Sequence, residues 1–157
     1  MPTKSEQVKS EQAKREKAIE AYAHAFGTIT EDNLDDLVAM TSPDIVFTDP
    51  FNTIKGQDGF RHVFDHMYQT CDDPRFDITD VGHGKAASYI RWRMTARLKS
   101  WPRMQLDFLG MTEVHADKDG MITVHYDHWD SASQLLAKLP VVGALISRIL
   151  KLFVLKN

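Results

Sequence analysis

The chain contains little cysteine and no long apolar run, and both absences narrow the class of protein. Cys71 is the only cysteine among 157 residues, so no intrachain disulfide can form, which fits a reducing compartment. No stretch of about 18 uncharged apolar residues occurs, which argues against a membrane-spanning helix. The first residues are charged and lack the apolar region of a signal peptide. We therefore expect a cytoplasmic protein.

Basic charge is not in excess, and the common catalytic motifs are missing. The formal net charge of -3 gives no reason to expect nucleic acid as a partner. The sequence has no glycine-rich phosphate loop and no serine-elbow motif. His62 and His66 share a predicted helix without further ligands, while His125 and His128 face opposite sides of a predicted strand. Neither pair predicts a metal site, and we expect no metal and no cofactor.

The residues that are present predict helices first and strands afterwards. Apolar residues recur at helical spacing in three segments, at about 5–26, between Thr30 and Met40, and at 56–70. Gly27 is expected to end the first helix and Thr30 to N-cap the second. Ser42-Pro43-Asp44 is expected to be a turn, and alternation then predicts strands at about 45–49, 76–82, 86–98, 104–115 and 121–130. This order predicts an α+β fold in which three helices cover one face of a curved, mainly antiparallel sheet.

Composition divides the chain into three parts. Residues 1–17 form a polar helical extension, residues 18–131 a single domain, and residues 132–157 an apolar helix with four cations and no acidic residue. This last helix has two interpretations. It packs against its own domain or a partner subunit, or residues 135–155 lie on an anionic membrane as an amphipathic helix. Burial in protein is the commoner outcome and is the interpretation that we favour.

Asp49 ends an alternating strand and is followed by Pro50. Successive side chains of a strand face opposite ways, so Ile45, Phe47 and Asp49 share one face. A carboxylate on an apolar face must form an ion pair, be neutralised by a raised pKa, or take part in function. Pairing with an arginine would make it a weak base, whereas an isolated position beside aromatic rings would suit a general base. The sequence leaves both options open.

The same alternation predicts a pocket for a small molecule. The side chains expected to line it are Phe47, Asp49, Phe51, Tyr89, Arg91, Arg93, Thr95, Leu106, Phe108, Gly110, His125, Asp127 and Trp129. Tyr22, on the first helix, is expected either in the core or as a hydrogen-bond donor to the pocket. An aromatic-lined cavity with a few polar groups is the usual make-up of a ligand site.

Seven short segments between residues 18 and 131 carry a family resemblance. They are Ala21-Tyr22 and residues 33–40, 44–50, 56–60, 106–110, 120–122 and 127–129. In their order and composition the chain resembles the nuclear transport factor 2-like superfamily, in its SnoaL-like and ketosteroid-isomerase-related branch. The resemblance implies a cone-shaped sheet wrapped around helices, a pocket at the open end, and homodimers formed across the outer face of the sheet.

The resemblance also implies roles for single residues. Asp49 falls on the general base of ketosteroid isomerases, and Tyr22 falls near their oxyanion-hole tyrosine. Their second oxyanion donor, a protonated carboxylic acid, falls on Gly110. The chain therefore lacks one of the groups on which that chemistry depends.

Limonene-epoxide hydrolases of the same superfamily give a second comparison. Their acid–arginine–acid set is matched at Arg91 and Asp127, whereas Arg93 replaces the other acid and Asp49 replaces their asparagine. This pattern implies, as one alternative, water activation by Asp127 and Asp49 with the two arginines.

We therefore expect a homodimeric SnoaL-like domain that binds a small apolar or aromatic molecule. The enzyme hypothesis makes Asp49 the general base, with Tyr22 or Arg93 stabilising an oxyanion and no cofactor. A binding module without turnover, in which aspartates and arginines form a structural network, is the alternative from another class.

Overall fold

The computed structural model describes residues 3–155 and has three helices before most of its sheet. The helices are α1 (Lys4–Gly27), α2 (Leu34–Ala39) and α3 (Gln57–Thr70). The strands are β1 (Thr41–Thr48), β2 (Thr53–Lys55), β3 (Cys71–His83), β4 (Ser88–Leu98), β5 (Gln105–Ala116) and β6 (Ile122–Trp129). A C-terminal region follows, with α4 (Ser131–Gln134), a 3₁₀ turn at Leu136–Lys138, α5 (Val142–Leu150) and a second 3₁₀ turn at Lys151–Phe153. The predicted α+β fold is confirmed.

A single six-stranded sheet has the order β2-β1-β6-β5-β4-β3. Neighbouring strands are antiparallel except β1 and β6, which are parallel. The register of this parallel pair shifts between Thr41 and Val46, in a stretch that contains Pro43, which has no N–H for the ladder. The predicted turn at residues 42–44 is therefore wrong, because these residues lie inside β1. The sequence pattern also misses β2, which has only three residues.

The helices bury their apolar sides against the sheet. α1 begins with a capping box between Thr3 and Glu6, and its exposed first half is followed by a buried side at Ile19, Tyr22, Ala23 and Phe26. α2 begins one turn later than predicted, because Asn33 and not Thr30 is its N-cap. The two residues exchange hydrogen bonds, from Thr30 N to Asn33 Oδ1 (2.7 Å) and from Asn33 N to Thr30 Oγ1 (3.3 Å).

Strand β4 presents the opposite side to the interior from the one expected. Its buried residues are Ser88, Ile90, Trp92, Met94 and Ala96. Arg91 and Arg93 are exposed on the outer face, which they share with the partly exposed Tyr89 and Thr95. The apolar set takes the inner face because a strand can bury only one of its two sets, and burial of apolar area outweighs burial of arginines.

The C-terminal region is interrupted and does not form one continuous helix. Leu135 packs against the core, and Gln134 binds both backbone groups of Leu109, through its Oε1 (2.6 Å) and its Nε2 (2.9 Å). α5 contacts mainly the two 3₁₀ turns that flank it, and most of its large apolar residues stay exposed. Within residues 3–155, no helix combines the length and the apolar character needed to cross a membrane.

Candidate functional site

A cavity of about 530 Å³ lies between α3 and the inner face of the sheet. Its wall is mainly aromatic and apolar, with Phe47, Phe51, Val63, Met67, Phe76, Trp92, Met94, Phe108 and Trp129. The rings of Phe108 and Trp129 are stacked at 4.5 Å, and Phe51 meets Trp129 edge-on at 5.8 Å. Its polar wall residues include Asp49, Asn52, His62, His66, Thr70 and Asp127. This is the composition and size of a small-molecule site.

Asp127 lies on the cavity wall and is the end point of a buried hydrogen-bond network. His125 Nε2 is 3.1 Å from Asp127 Oδ1, and Thr112 Oγ1 donates to the same oxygen at 2.5 Å. Behind them, the Tyr22 hydroxyl lies 2.7 Å from His125 Nδ1, and Trp92 Nε1 donates to Thr112 Oγ1 at 2.8 Å. Tyr22, Thr112 and His125 are completely buried. Asp127 keeps 13% side-chain exposure.

One set of donor and acceptor roles satisfies the groups of this network. Burial, and secondly the charge of Asp127, raises the pKa of Tyr22 well above its ordinary value, so the phenol keeps its proton and donates to His125 Nδ1. A carboxylate can only accept, so His125 carries a proton on Nε2 and donates it to Asp127, which leaves Nδ1 to accept from the phenol. Asp127 Oδ1 thus receives two hydrogen bonds, while its Oδ2 accepts none within residues 3–155. The carboxylate is held by one oxygen and has the other free for a ligand.

Asp49 also lies on the cavity wall, but its carboxylate closes a local turn. Its Oδ1 accepts hydrogen bonds from the backbone N–H groups of Phe51 (2.8 Å) and Asn52 (2.6 Å), and the side chain of Asn52 contacts both of its oxygens. Asp49 is therefore neither paired with an arginine nor isolated beside Trp129. An aspartate that binds the backbone of the two or three following residues is a common turn element, and this local use is the option that the strand pattern does not predict.

Arg91 and Arg93 do not reach the cavity, contrary to the expectation from alternation. Arg93 instead binds Asp107 on the outer face through Nε (2.8 Å) and Nη2 (2.6 Å). This hydrogen-bonded pair raises the pKa of Arg93 and lowers the pKa of Asp107. The acid–arginine–acid arrangement and the structural Asp/Arg network are therefore not assembled, because the guanidinium groups and Asp127 lie on opposite faces of the sheet.

The remaining expected wall residues divide into three groups. Phe47, Phe51, Phe108 and Trp129 line the cavity. His125 lies directly behind the wall, where its ring stacks on Phe47 at 5.1 Å, and Leu106 is a core residue away from the wall. Tyr89 faces outward because it belongs to the outer set of β4.

Trp92 occupies the space that a side chain at Gly110 would need. A Cβ at Gly110 would lie 2.4 Å from the indole Cη2 of Trp92. The position that the family resemblance assigns to an oxyanion-donating acid is thus filled by a ring from the neighbouring strand. The same ring donates to Thr112 and so supports Asp127.

The sequence pattern misses several wall residues. His62, Met67 and His66 reach the cavity from α3, and Cys71 reaches it from the start of β3. Burial raises the pKa of the Cys71 thiol, which makes it a poor nucleophile. The helical spacing of Val63 and Met67 could have identified α3 as one wall. Within residues 3–155, no three His, Cys, Asp or Glu side chains are grouped so as to hold a metal ion.

Comparison with known proteins agrees with the geometry of the fold. The profile of the SnoaL-like domain matches residues 19–125. A nuclear transport factor 2-like protein of unknown function from Exiguobacterium sp. 255-15 has a TM-score of 0.63 at 16% identity, with 72% of this chain and 98% of that chain covered. A Catenulispora acidiphila protein with a ketosteroid isomerase-like fold, in complex with trimethylamine, has a TM-score of 0.65 at 17% identity, with 78% and 93% covered.

A third structural relative is an enzyme. SalBIII, described as an epoxide hydrolase/cyclase-like enzyme in pyran ring formation in the polyether salinomycin, has a TM-score of 0.62 at 14% identity, with 75% of this chain and 92% of that chain covered. No curated protein matches the chain. At these identities the structural likenesses establish the fold alone.

Proposed function

The chain belongs to the SnoaL-like domain family, whose profile covers residues 19–125, and on this basis we propose that it is a cofactor-independent acid–base enzyme of the isomerase or cyclase type. The substrate class is a small apolar or aromatic molecule with a carbonyl group, because the wall is mainly aromatic and the Asp127 carboxylate on it can act as a base toward a proton next to a carbonyl group. The observation that carries the proposal is the asymmetric binding of Asp127, whose Oδ1 is held by two donors while its Oδ2 has none among the residues that the structure describes.

In the proposed reaction, Asp127 removes a proton from the carbon next to the carbonyl group. The electron pair of the broken C–H bond forms an enolate, and the negative charge moves to the carbonyl oxygen. Protonated Asp127 then returns the proton to carbon or oxygen. A base must lie within hydrogen-bond reach of its proton, and the network behind Asp127 supports this by fixing the orientation of the carboxylate.

The developing oxyanion needs hydrogen-bond donors that reach the same cavity. The imidazoles of His62 and His66 and the indole N–H of Trp129 line the cavity and have no hydrogen-bond partner within residues 3–155. Tyr22, the donor implied by the family resemblance, already donates to His125. We assign Tyr22 the role of orienting His125, and through it Asp127, instead of contacting the substrate.

Solvent deuterium exchange into 2-tetralone, an aromatic ketone with acidic α-protons, tests the proposal by NMR. The wild-type protein is expected to accelerate exchange over buffer, and Asp127→Asn to lower that acceleration by about 100-fold or more, the usual contribution of a general base. The matched control is Asp49→Asn, which keeps the shape of the second wall acid. Its acceleration of exchange is expected to remain within about threefold of the wild-type value. Equal activity of wild type and Asp127→Asn would contradict the assignment.

Asp49 as general base, as the family resemblance implies, is the competing assignment. It predicts the reverse result, with exchange lost in Asp49→Asn and kept in Asp127→Asn.

A binding module without turnover is the second candidate. It is favoured by the hydrogen bonds of Asp49 to the backbone of its own turn. It predicts broadened 2-tetralone resonances in the presence of protein but no exchange above buffer. The homodimer and the cytoplasmic location stay predictions.

A further inference from the structure

Within residues 3–155, eight of the fourteen exposed large hydrophobic residues lie in the C-terminal region. Val142, Leu145, Ile149 and Leu152 are exposed, with Leu145 at 62% and Leu152 at 80%. They recur at three- and four-residue spacing and so follow one side of α5 and the turn after it. We call these four residues the α5 face. Exposed apolar patches of this kind mark interaction sites in soluble proteins.

The other side of α5 is already covered. Gly143 is buried and Ile146 and Leu150 are partly buried, on the side that meets the preceding 3₁₀ turn. A Cβ at Gly143 would lie 2.4 Å from the carbonyl oxygen of Ala137, so this contact is close. The helix is therefore held in one orientation by its inner side, and the α5 face points away from the chain that holds it.

The charge of this region has one sign. Lys138, Arg148 and Lys151 are exposed, and no acidic residue occurs between Ser131 and Asn157. Arg148 and Lys151 lie three residues apart, so they are neighbours along one side of the helix. The 22 acidic residues of the chain all precede this region, which holds four of its 19 basic residues. The remaining 130 residues therefore carry a formal charge of -7.

We propose that the C-terminal region docks on an anionic lipid surface, with the α5 face in the interface and the three exposed cations at the headgroups. A short helix with an apolar side bordered by Lys and Arg is suited to lie in the membrane plane. Anionic lipid complements its charge. The region begins two residues after Trp129, which lines the candidate site.

A second copy of the same surface is a poorer partner. Two such regions in contact would bring their cations together without an acid from either region to pair with them, and like charges at close range are repulsive. An anionic membrane covers the exposed apolar area and brings negative charge to the exposed cations. We therefore favour a lipid surface as the occupant, because it accounts for both the apolar α5 face and the positive charge of the region.

Vesicle flotation of the full chain tests the proposal. The protein is expected to float with vesicles of phosphatidylcholine mixed with phosphatidylglycerol, and to bind pure phosphatidylcholine on the order of 100-fold more weakly, since each of three cations contributes about fivefold. Binding should weaken between about 0.1 and 1 M salt, where the Debye length falls from about 10 to 3 Å. Arg148→Gln with Lys151→Gln should remove most of the preference for anionic lipid.

The apolar contribution is tested by Leu145→Glu with Ile149→Glu, which should abolish flotation without changing the urea midpoint, because both side chains are exposed. The matched control replaces two exposed apolar residues elsewhere, Val8→Glu with Trp101→Glu, and should float like wild type. Asp127→Asn should also float like wild type, so a failure of docking and a failure of the proposed activity are distinguishable.

Three results would overturn the proposal. The wild-type protein could stay unbound in the presence of anionic vesicles. The control pair could lose flotation as fully as the α5 pair. Light scattering could instead show a dimer that dissociates only when Leu145 and Ile149 are replaced, with no flotation in any variant, and the occupant would then be a second copy.

Discussion

At the scale of single residues, the site depends on how Trp92 and Gly110 share space. The absence of a side chain at Gly110 admits the Trp92 indole, whose N–H supports Thr112 and thereby Asp127. The position that the family resemblance assigns to an oxyanion-donating acid is therefore occupied by packing of the Trp92 ring. This packing involves residues on two strands, and neither residue predicts it alone.

Replacing Tyr22 by Phe should destabilise the protein. The change leaves His125 Nδ1 buried without its donor, and an unsatisfied buried polar atom costs about 1–3 kcal/mol. Urea unfolding monitored by circular dichroism measures the loss.

The chain supplies a matched control for that change. The Tyr68 hydroxyl is buried without a hydrogen-bond partner within residues 3–155, so Tyr68→Phe removes the same atom without breaking a bond. It should change the unfolding free energy by less than about 0.5 kcal/mol, or stabilise the protein slightly. Equal losses in the two variants would show that the Tyr22–His125 hydrogen bond contributes nothing measurable.

At the scale of elements, most helices and strands could be predicted from the sequence because their periods are long and regular. The strand expected at 86–98 is observed at Ser88–Leu98, and the helix expected at 56–70 at Gln57–Thr70. The sequence predicts the wrong facing of β4, because either alternating set of the strand could line the interior and the polar set suits a pocket. Burial of Ile90, Trp92 and Met94 decides the question.

The Asp127 network could not be predicted from periodicity. Tyr22 and His125 are 103 residues apart in the chain, and only the packing of α1 against the sheet brings them together. Alternation does indicate that His125 and Asp127 share a face. Alternation does not indicate that His125 lies behind the cavity wall and Asp127 on it, because that difference depends on where α3 leaves the cavity open.

Two neighbouring residues of β4 test its facing directly. Arg93→Ala should cost no more than about 1 kcal/mol, because its pair with Asp107 is exposed and surface ion pairs contribute little. Trp92→Ala should cost about 3–5 kcal/mol, as removal of a large buried side chain does. Urea midpoints of the two variants give the comparison. A larger loss for Arg93→Ala would indicate the inward arginine that strand alternation first suggested.

At the scale of the whole molecule, two buried tyrosines predict that stability falls in alkaline solution. Burial, and secondly the charge of Asp127, raises the pKa of Tyr22 well above its ordinary value. Burial, and secondly the charge of Glu31, raises the pKa of Tyr68 to about 12. Below the ordinary tyrosine pKa of about 10 both residues are protonated in the folded and the unfolded chain, so their contribution is complete. Above it, the unfolded chain releases protons that the folded chain retains, and unfolding becomes more favourable.

The urea midpoint should therefore be nearly constant from about pH 8 to 9.5 and decline from about pH 10 to 12. Other groups titrate in the same window, so the contribution of Tyr68 is isolated by Tyr68→Phe, which should show a shallower decline than wild type. Because Phe cannot ionise, the difference between the two curves should be absent below about pH 10 and grow toward pH 12, where the folded-state pKa of Tyr68 lies. Parallel curves across the whole range would mean that Tyr68 titrates in the folded protein as it does in the unfolded chain, and that its hydroxyl reaches water.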